Sequence, residues 1–205
     1  GISFYHGQMF FNFYNTSFSW HDNLLTTPPV GMVDLYTIGL HEAVHALGFS
    51  SGINFNGNSL ITFGSNYFTR YDLFLKTQSG LNLITNSGGC SMYNYSINPA
   101  FSNPTYTLSP GGATCSPLPS TSNSDNTSCP LSITYSNTSQ NVNVYTPNCY
   151  EVGSSLSHFE DMCYPTNTPT NNNQYFVMSN QTGNGQMKRF LKEEERKVLC
   201  DIGYS

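Results

Sequence analysis

His41-Glu42-Ala43-Val44-His45-Ala46-Leu47-Gly48-Phe49 is the stretch whose reading decides the fold. A helix turns about 100° per residue, so side chains four apart stand one above the other on one face. His41 and His45 thereby offer two imidazoles to one ion from a single rigid element. Glu42 leans to the same side and reaches a water on that ion without ligating it. Two imidazoles at that spacing, with a carboxylate beside them, suit metal-assisted peptide hydrolysis. The chain has 5 His and 12 Asp+Glu in 205 residues, so the pattern seldom arises here by chance.

The neighbouring residues predict a buried helix. Val33, Leu35, Tyr36, Ile38, Gly39, Leu40, Ala43, Val44, Ala46 and Leu47 are apolar or small nearly all round. Pro28 and Pro29 stop any helix upstream, Asp34 is placed to cap the start, and Gly48 is placed to end it.

Upstream, residues 1–30 read as strands. Ile2-Ser3-Phe4-Tyr5, Met9 to Tyr14 and Phe18-Ser19-Trp20 are rich in aromatics, with turn residues at Gly7 and Asn15. Such a strand before the helix could receive a peptide by edge pairing, or could be an ordinary sheet strand. His6 and His21 read as surface or hairpin histidines. Downstream, Leu60 to Phe63 and Tyr67 to Leu75 are short apolar runs, the second open to strand or short helix. Residues 85–150 turn rich in Ser, Thr, Asn, Pro and Gly and read as an irregular or β-rich insertion held by disulfides. The end, Arg189 to Tyr204, predicts a helix. Leu191, Val198, Leu199 and Ile202 form one stripe, and Glu193, Glu194 and Glu195 occupy a solvated first turn.

Composition narrows the class. Only 9% of residues are charged, the net charge is -5 and Lys+Arg total 7, so a basic footprint for nucleic acid is lacking. No apolar run reaches the ~18 residues of a membrane span, and no signal segment opens the chain. Length fits one domain. Cys90, Cys115, Cys129, Cys149, Cys163 and Cys200 are even in number, widely spaced and free of CxxC pairs. They predict disulfides in an oxidising compartment, with the pairing open.

A tetrahedral zinc needs a third protein ligand, with the fourth position kept for water. Where zinc peptidases place that ligand ten residues after the first His, this chain has Ser51. The ligand must come from elsewhere. His158, in Gly153-Ser154-Ser155-Leu156-Ser157-His158-Phe159, is the candidate; Glu160 and Asp161 are rivals.

With Phe176-Val177-Met178-Ser179 and the ending Asp201-Ile202-Gly203-Tyr204, this set of motifs resembles the leishmanolysin-like metzincins. The likeness spans roughly residue 10 to the end and is weak across 85–150. The matching positions are His41, Glu42, His45, Gly48, His158 and Met178. Met162 is a rival for the methionine turn, and Asn180 stands where some metzincins carry a Tyr. The resemblance implies an α+β fold of metzincin-like zincin type. A small twisted sheet and the active-site helix would fill residues 1–51. An irregular, disulfide-rich C-terminal subdomain ending in a helix would fill 52–205, all one catalytic domain. It further implies a secreted or cell-surface endopeptidase holding one catalytic Zn²⁺ on His41, His45 and His158. Glu42 would be its general base, Met178 its methionine turn, and proteins or peptides its substrates. The alternative is a secreted zinc-binding adhesion module without proteolysis.

Overall fold

The computed structural model describes residues 7–54, 57–62, 66–77, 79–86, 95–98, 133–146, 151–161 and 175–204. The chain divides into two compact units, Gly1–Phe49 with Asp161–Ser205, and Ser50–Glu160. Among the described residues, two helices and several small sheets make a mixed, α+β arrangement.

In the first unit, β1 (Ser19–His21) pairs in parallel with β2 (Met32–Asp34). The chain then passes directly into α1 (Leu35–Ala46). Asp34 caps that helix as expected, its carboxylate accepting from Thr37 N at 3.1 Å. Gly48 follows the end at φ +104°, a left-handed position that a Cβ would strain.

Several expectations need correction here. Met9 to Tyr14 is not a strand. The Asn12 side chain accepts from Tyr14 N at 3.0 Å and that of Asn15 from Ser17 N at 2.8 Å. These Asx turns compete with a ladder. The aromatic rings gather on Trp20 instead, Phe18 edge-on at 4.9 Å and Phe11 and Phe13 each at 6.1 Å. α1 is not buried all round: Thr37 and Val44 are its buried residues, Tyr36 is 40% exposed, and Glu42 is exposed. His21 is no surface residue. It is buried, bonded to Thr26 Oγ1 at 3.0 Å and 3.6 Å from the Asp34 carboxylate.

Late residues close the same unit. Arg189 spans the Asp34 carboxylate with two bonds of 2.9 and 2.6 Å, and also donates to Leu24, Asn23 and Thr26 carbonyls. That fork of donors matches a carboxylate bidentately. α2 runs over Glu193–Ile202, four residues later than expected at its start. Arg189 to Lys192 stay outside it because Arg189 is committed to Asp34. The Glu run is only partly a solvated face. Glu193 is exposed and pairs with Lys197 at 2.9 Å, whereas Glu195 is fully buried. Its carboxylate accepts from Lys192 N and Met178 N, each at 2.7 Å, closing the helix start and holding a distant turn. Cys200 lies exposed on α2 as a free thiol. The strand expected at Ile2 to Tyr5, His6, Met162 and the other five cysteines lie outside the described residues.

The second unit is built of short strands. β3 (Ile61–Thr62) pairs with β4 (Asn66–Tyr67), and a 3-10 turn (Tyr71–Phe74) leads into β5 (Leu75–Thr77). Tyr67 to Leu75 is thus divided among strand, turn and strand. β6 (Ile84–Asn86) pairs with β7 (Tyr95–Ile97). β5, β8 (Ile133–Ser136) and β9 (Asn141–Asn143) form an antiparallel sheet in the order β5-β8-β9. Tyr71, Leu75, Tyr135, Val142 and Phe159 make its core. Among the described residues no helix is long and apolar enough to cross a membrane.

Candidate metal centre

The helix half lies in the first unit. His41 and His45 stand one turn apart on α1, with Nε2 atoms 3.1 Å apart and ring planes at 83°. His41 Nδ1 lies 2.8 Å from Val177 O, and His45 Nδ1 lies 2.7 Å from Phe49 O. A carbonyl oxygen can only accept, so each Nδ1 carries the hydrogen and each Nε2 keeps its lone pair. Burial lowers the pKa of both rings; at His45 the neighbouring His41 adds to the lowering. Two neutral rings therefore point lone pairs at one another. A cation between them would relieve that repulsion.

Met178 lies in the turn that supplies one of those carbonyls. Val177 O holds His41, and Met178 follows it, fully buried, with its N–H on Glu195. The turn is fastened from before as well: Asp161 accepts from Tyr175 N at 3.1 Å and from Phe176 N at 3.0 Å. The carboxylate of Asp161 sits 3.6 Å from Lys188 Nζ, and both are buried. Burial brings Lys188 down to about 8 and pushes Glu195 up to about 7, with Asp161 also raised. Asp161, a rival ligand on sequence grounds, is thus engaged in holding the turn that contains Met178. Glu195 is the residue that sequence reasoning missed. Its signal was present: an acid at the third helical position is the partner a capping box needs.

The loop half lies in the second unit. His158 is 5% exposed, and its Nδ1 sits 2.8 Å from Ser154 O, the same arrangement as in the helix histidines. Two left-handed residues shape the loop, Gly153 at φ +84° and Leu156 at φ +65°. A buried leucine in that region is strained. The surroundings over-determine it. Leu156 N bonds Tyr145 O at 3.0 Å, Tyr145 N bonds His158 O at 2.8 Å, and Glu160 N bonds Asn143 O at 2.8 Å. The serines of the motif are structural. Ser155 Oγ accepts from Glu151 N at 2.8 Å, and Ser157 Oγ accepts from Ser51 N at 3.0 Å. Ser51, ten positions after His41, is buried and donates to Asp72 at 2.6 Å.

Glu42 is exposed and looks onto a cleft of about 370 Å³ in the first unit. Ile38, Glu42, His45 and Ala46 form one wall; residues 7–12 and Trp20 form the other. The Glu42 charge reaches both helix imidazoles, raising the pKa of each against the effect of burial. No protein-family model, curated protein or solved structure matches this chain.

Proposed function

We propose that this chain is a zinc-dependent endopeptidase in which His41, His45 and His158 hold the ion and Glu42 handles the proton. One observation carries the reading. All three rings give Nδ1 to a backbone carbonyl, so the nitrogen that each has to offer is a neutral Nε2. Such a carbonyl behind each ring is how metal-ligating histidines are oriented. A tetrahedral zinc needs a third protein ligand beside the helix pair, and His158 offers its Nε2 in that same state. The 3.1 Å between the helix nitrogens is close to the roughly 3.3 Å that tetrahedral zinc bonds of about 2.0–2.1 Å require. Three nitrogens with one open position favour zinc with a catalytic rather than a purely structural role.

Zinc bound there supplies Lewis acidity, bringing the pKa of a water from about 15.7 to near 7. The Glu42 carboxylate takes a proton as the water attacks the peptide carbonyl and hands it to the departing amine. Met178 is an apolar, buried floor beside the carbonyl that orients His41. The likeness of His41, Glu42, His45, Gly48, His158 and Met178 to the leishmanolysin-like metzincins supports the same assignment. Cys200 is a free thiol, so the extracellular setting rests on the five widely spaced cysteines other than it and on the absence of CxxC pairs in the sequence.

Glu42→Ala separates holding the metal from using it. The variant is expected to retain one zinc per chain and to lose peptide cleavage by at least a thousandfold, and a chelator is expected to silence the unaltered protein. Zinc retained with no cleavage of any peptide by the unaltered protein would make it a binding module. Cleavage undiminished in Glu42→Ala would discard the role of Glu42.

A further inference from the structure

Asn15-Thr16-Ser17 is an Asn-X-Ser/Thr acceptor sequence that the peptidase reading leaves unused. The same pattern recurs at Asn94, Asn126, Asn137 and Asn180, of which Asn94 and Asn126 lie outside the described residues. Asn15 differs from Asn137 and Asn180 in the side chains that precede it. Phe13 is 60% exposed and Tyr14 is 95% exposed. The residue two before Asn137 is Tyr135, and it is buried; Met178 and Ser179 before Asn180 are buried too. The loop also presents Asn15 in a fixed way. Its Oδ1 accepts from Ser17 N at 2.8 Å, and among the described residues its Nδ2 makes no hydrogen bond. Asn12 Oδ1 accepts from Tyr14 N at 3.0 Å, which sets the residue in front. Phe13 leans on Phe11 at 6.2 Å and on Trp20 at 6.1 Å. Thr16 and Ser17 are exposed.

We propose that Asn15 is the acceptor of an N-linked glycan, and that the first sugars of that glycan cover the exposed rings of Phe13 and Tyr14. The proposal goes beyond the peptidase reading and shares with it only the extracellular setting. The co-reactant is an oligosaccharide carried on a lipid diphosphate. Asn15 Nδ2 attacks the sugar C1, so an N–C bond forms and the C–O bond to the diphosphate breaks. The diphosphate leaves with the electron pair, Nδ2 gives up one proton, and nothing is oxidised or reduced. Two physical points support the assignment. Neighbouring aromatic rings standing in water are an association hazard, and a covalent hydrophilic cover removes it. The face of an aromatic ring is negative, so the slightly positive C–H groups of a sugar ring lie on it as the edge of another ring does.

The chain is secreted from a eukaryotic host, and its glycans are cut by an amidase in heavy-oxygen water, which leaves a mass tag at each former glycan site. Residue 15 is expected to carry the tag in most molecules. Ser17→Ala, which keeps the backbone donor to Asn15, and Asn15→Asp, which keeps the accepting oxygen, are each expected to lose it. Tyr14→Ser then tests the cover, since Tyr14 packs on little of the protein itself. In the glycosylated chain it is expected to lower the thermal midpoint by about 2 °C. In the Ser17→Ala background it is expected to leave the midpoint unchanged. An untagged residue 15 in the secreted chain, whatever the other acceptor sequences carry, would overturn the assignment. An equal effect of Tyr14→Ser in both backgrounds would overturn the cover. Neither readout involves zinc or peptide cleavage, so the glycan and the peptidase fail separately.

Discussion

The two units present imidazoles by opposite means. His41 and His45 ride on α1, whose ends are set by Asp34 and Gly48; spacing of four residues alone puts the two rings together. His158 stands at the end of a loop with left-handed backbone at Gly153 and Leu156, tied down by bonds to Tyr145 and Asn143. Nevertheless all three rings end with Nδ1 on a backbone carbonyl. A helix delivers ligand geometry from local rules. A loop delivers it only when many separate contacts agree, so its histidine depends on residues scattered along the chain.

The helix side is anchored at long range, and the largest effect on stability is expected there. Arg189→Ala leaves the Asp34 carboxylate buried without its bidentate partner. Loss of one member of such a pair is expected to cost about 3 kcal/mol in urea unfolding. A change below about 0.5 kcal/mol would show that α1 holds its own start without the clamp.

Next in size is the pH response of the turn behind His41. Burial raises Glu195 from 4.5 to about 7. Its contribution is complete below about 4.5 and is lost as the pH rises through about 7, an effect of about 2 kcal/mol at most after partial solvation. Lys188, lowered to about 8, acts with the opposite sign in a higher window: its contribution is present above 10.5 and lost as the pH falls through about 8. The helix histidines, also lowered, gain stability as the pH rises toward 6.5 and so oppose Glu195. The readout is therefore the difference between the unaltered protein and Glu195→Gln at pH 5 and pH 7.5, with chelator present. The variant is expected to lose less stability, or gain more, between the two pH values. Parallel pH profiles would show that Glu195 does not titrate there.

The smallest effect tests the loop. Leu156→Ala keeps the left-handed backbone and loses a buried side chain, whereas Leu156→Gly loses the same side chain and relieves the strain. Glycine is therefore expected to be more stable than alanine at this position by about 1 kcal/mol in thermal or urea unfolding. At Gly48, also left-handed, the existing glycine already avoids that cost. Alanine equal to or better than glycine at 156 would remove strain from the account of the loop.

Much of the helix half was legible because its determinants are local. The i, i+4 histidines, the Asp34 cap and the Gly48 end can be read by counting residues. The aromatic stretch at Met9 to Tyr14 was misread because β propensity says nothing of Asx turns or of a single Trp20 on which three rings converge. The burial of Glu195 was missed because only its bond to Lys192 N is local, and the other partner, Met178 N, lies far off in the chain. Likewise the serines before His158 are intelligible only with Ser51 and Glu151 beside them. His158 was named from a family likeness rather than from physics, since no periodicity leads from residue 45 to residue 158.

Zinc K-edge absorption on the purified, zinc-loaded protein and on His158→Ala tests the central claim most directly. Three imidazole nitrogens and one oxygen at about 2.0–2.1 Å, falling to two nitrogens in the variant, is the result predicted. Absence of bound zinc, sulfur ligands, or an unchanged nitrogen count in His158→Ala would contradict it.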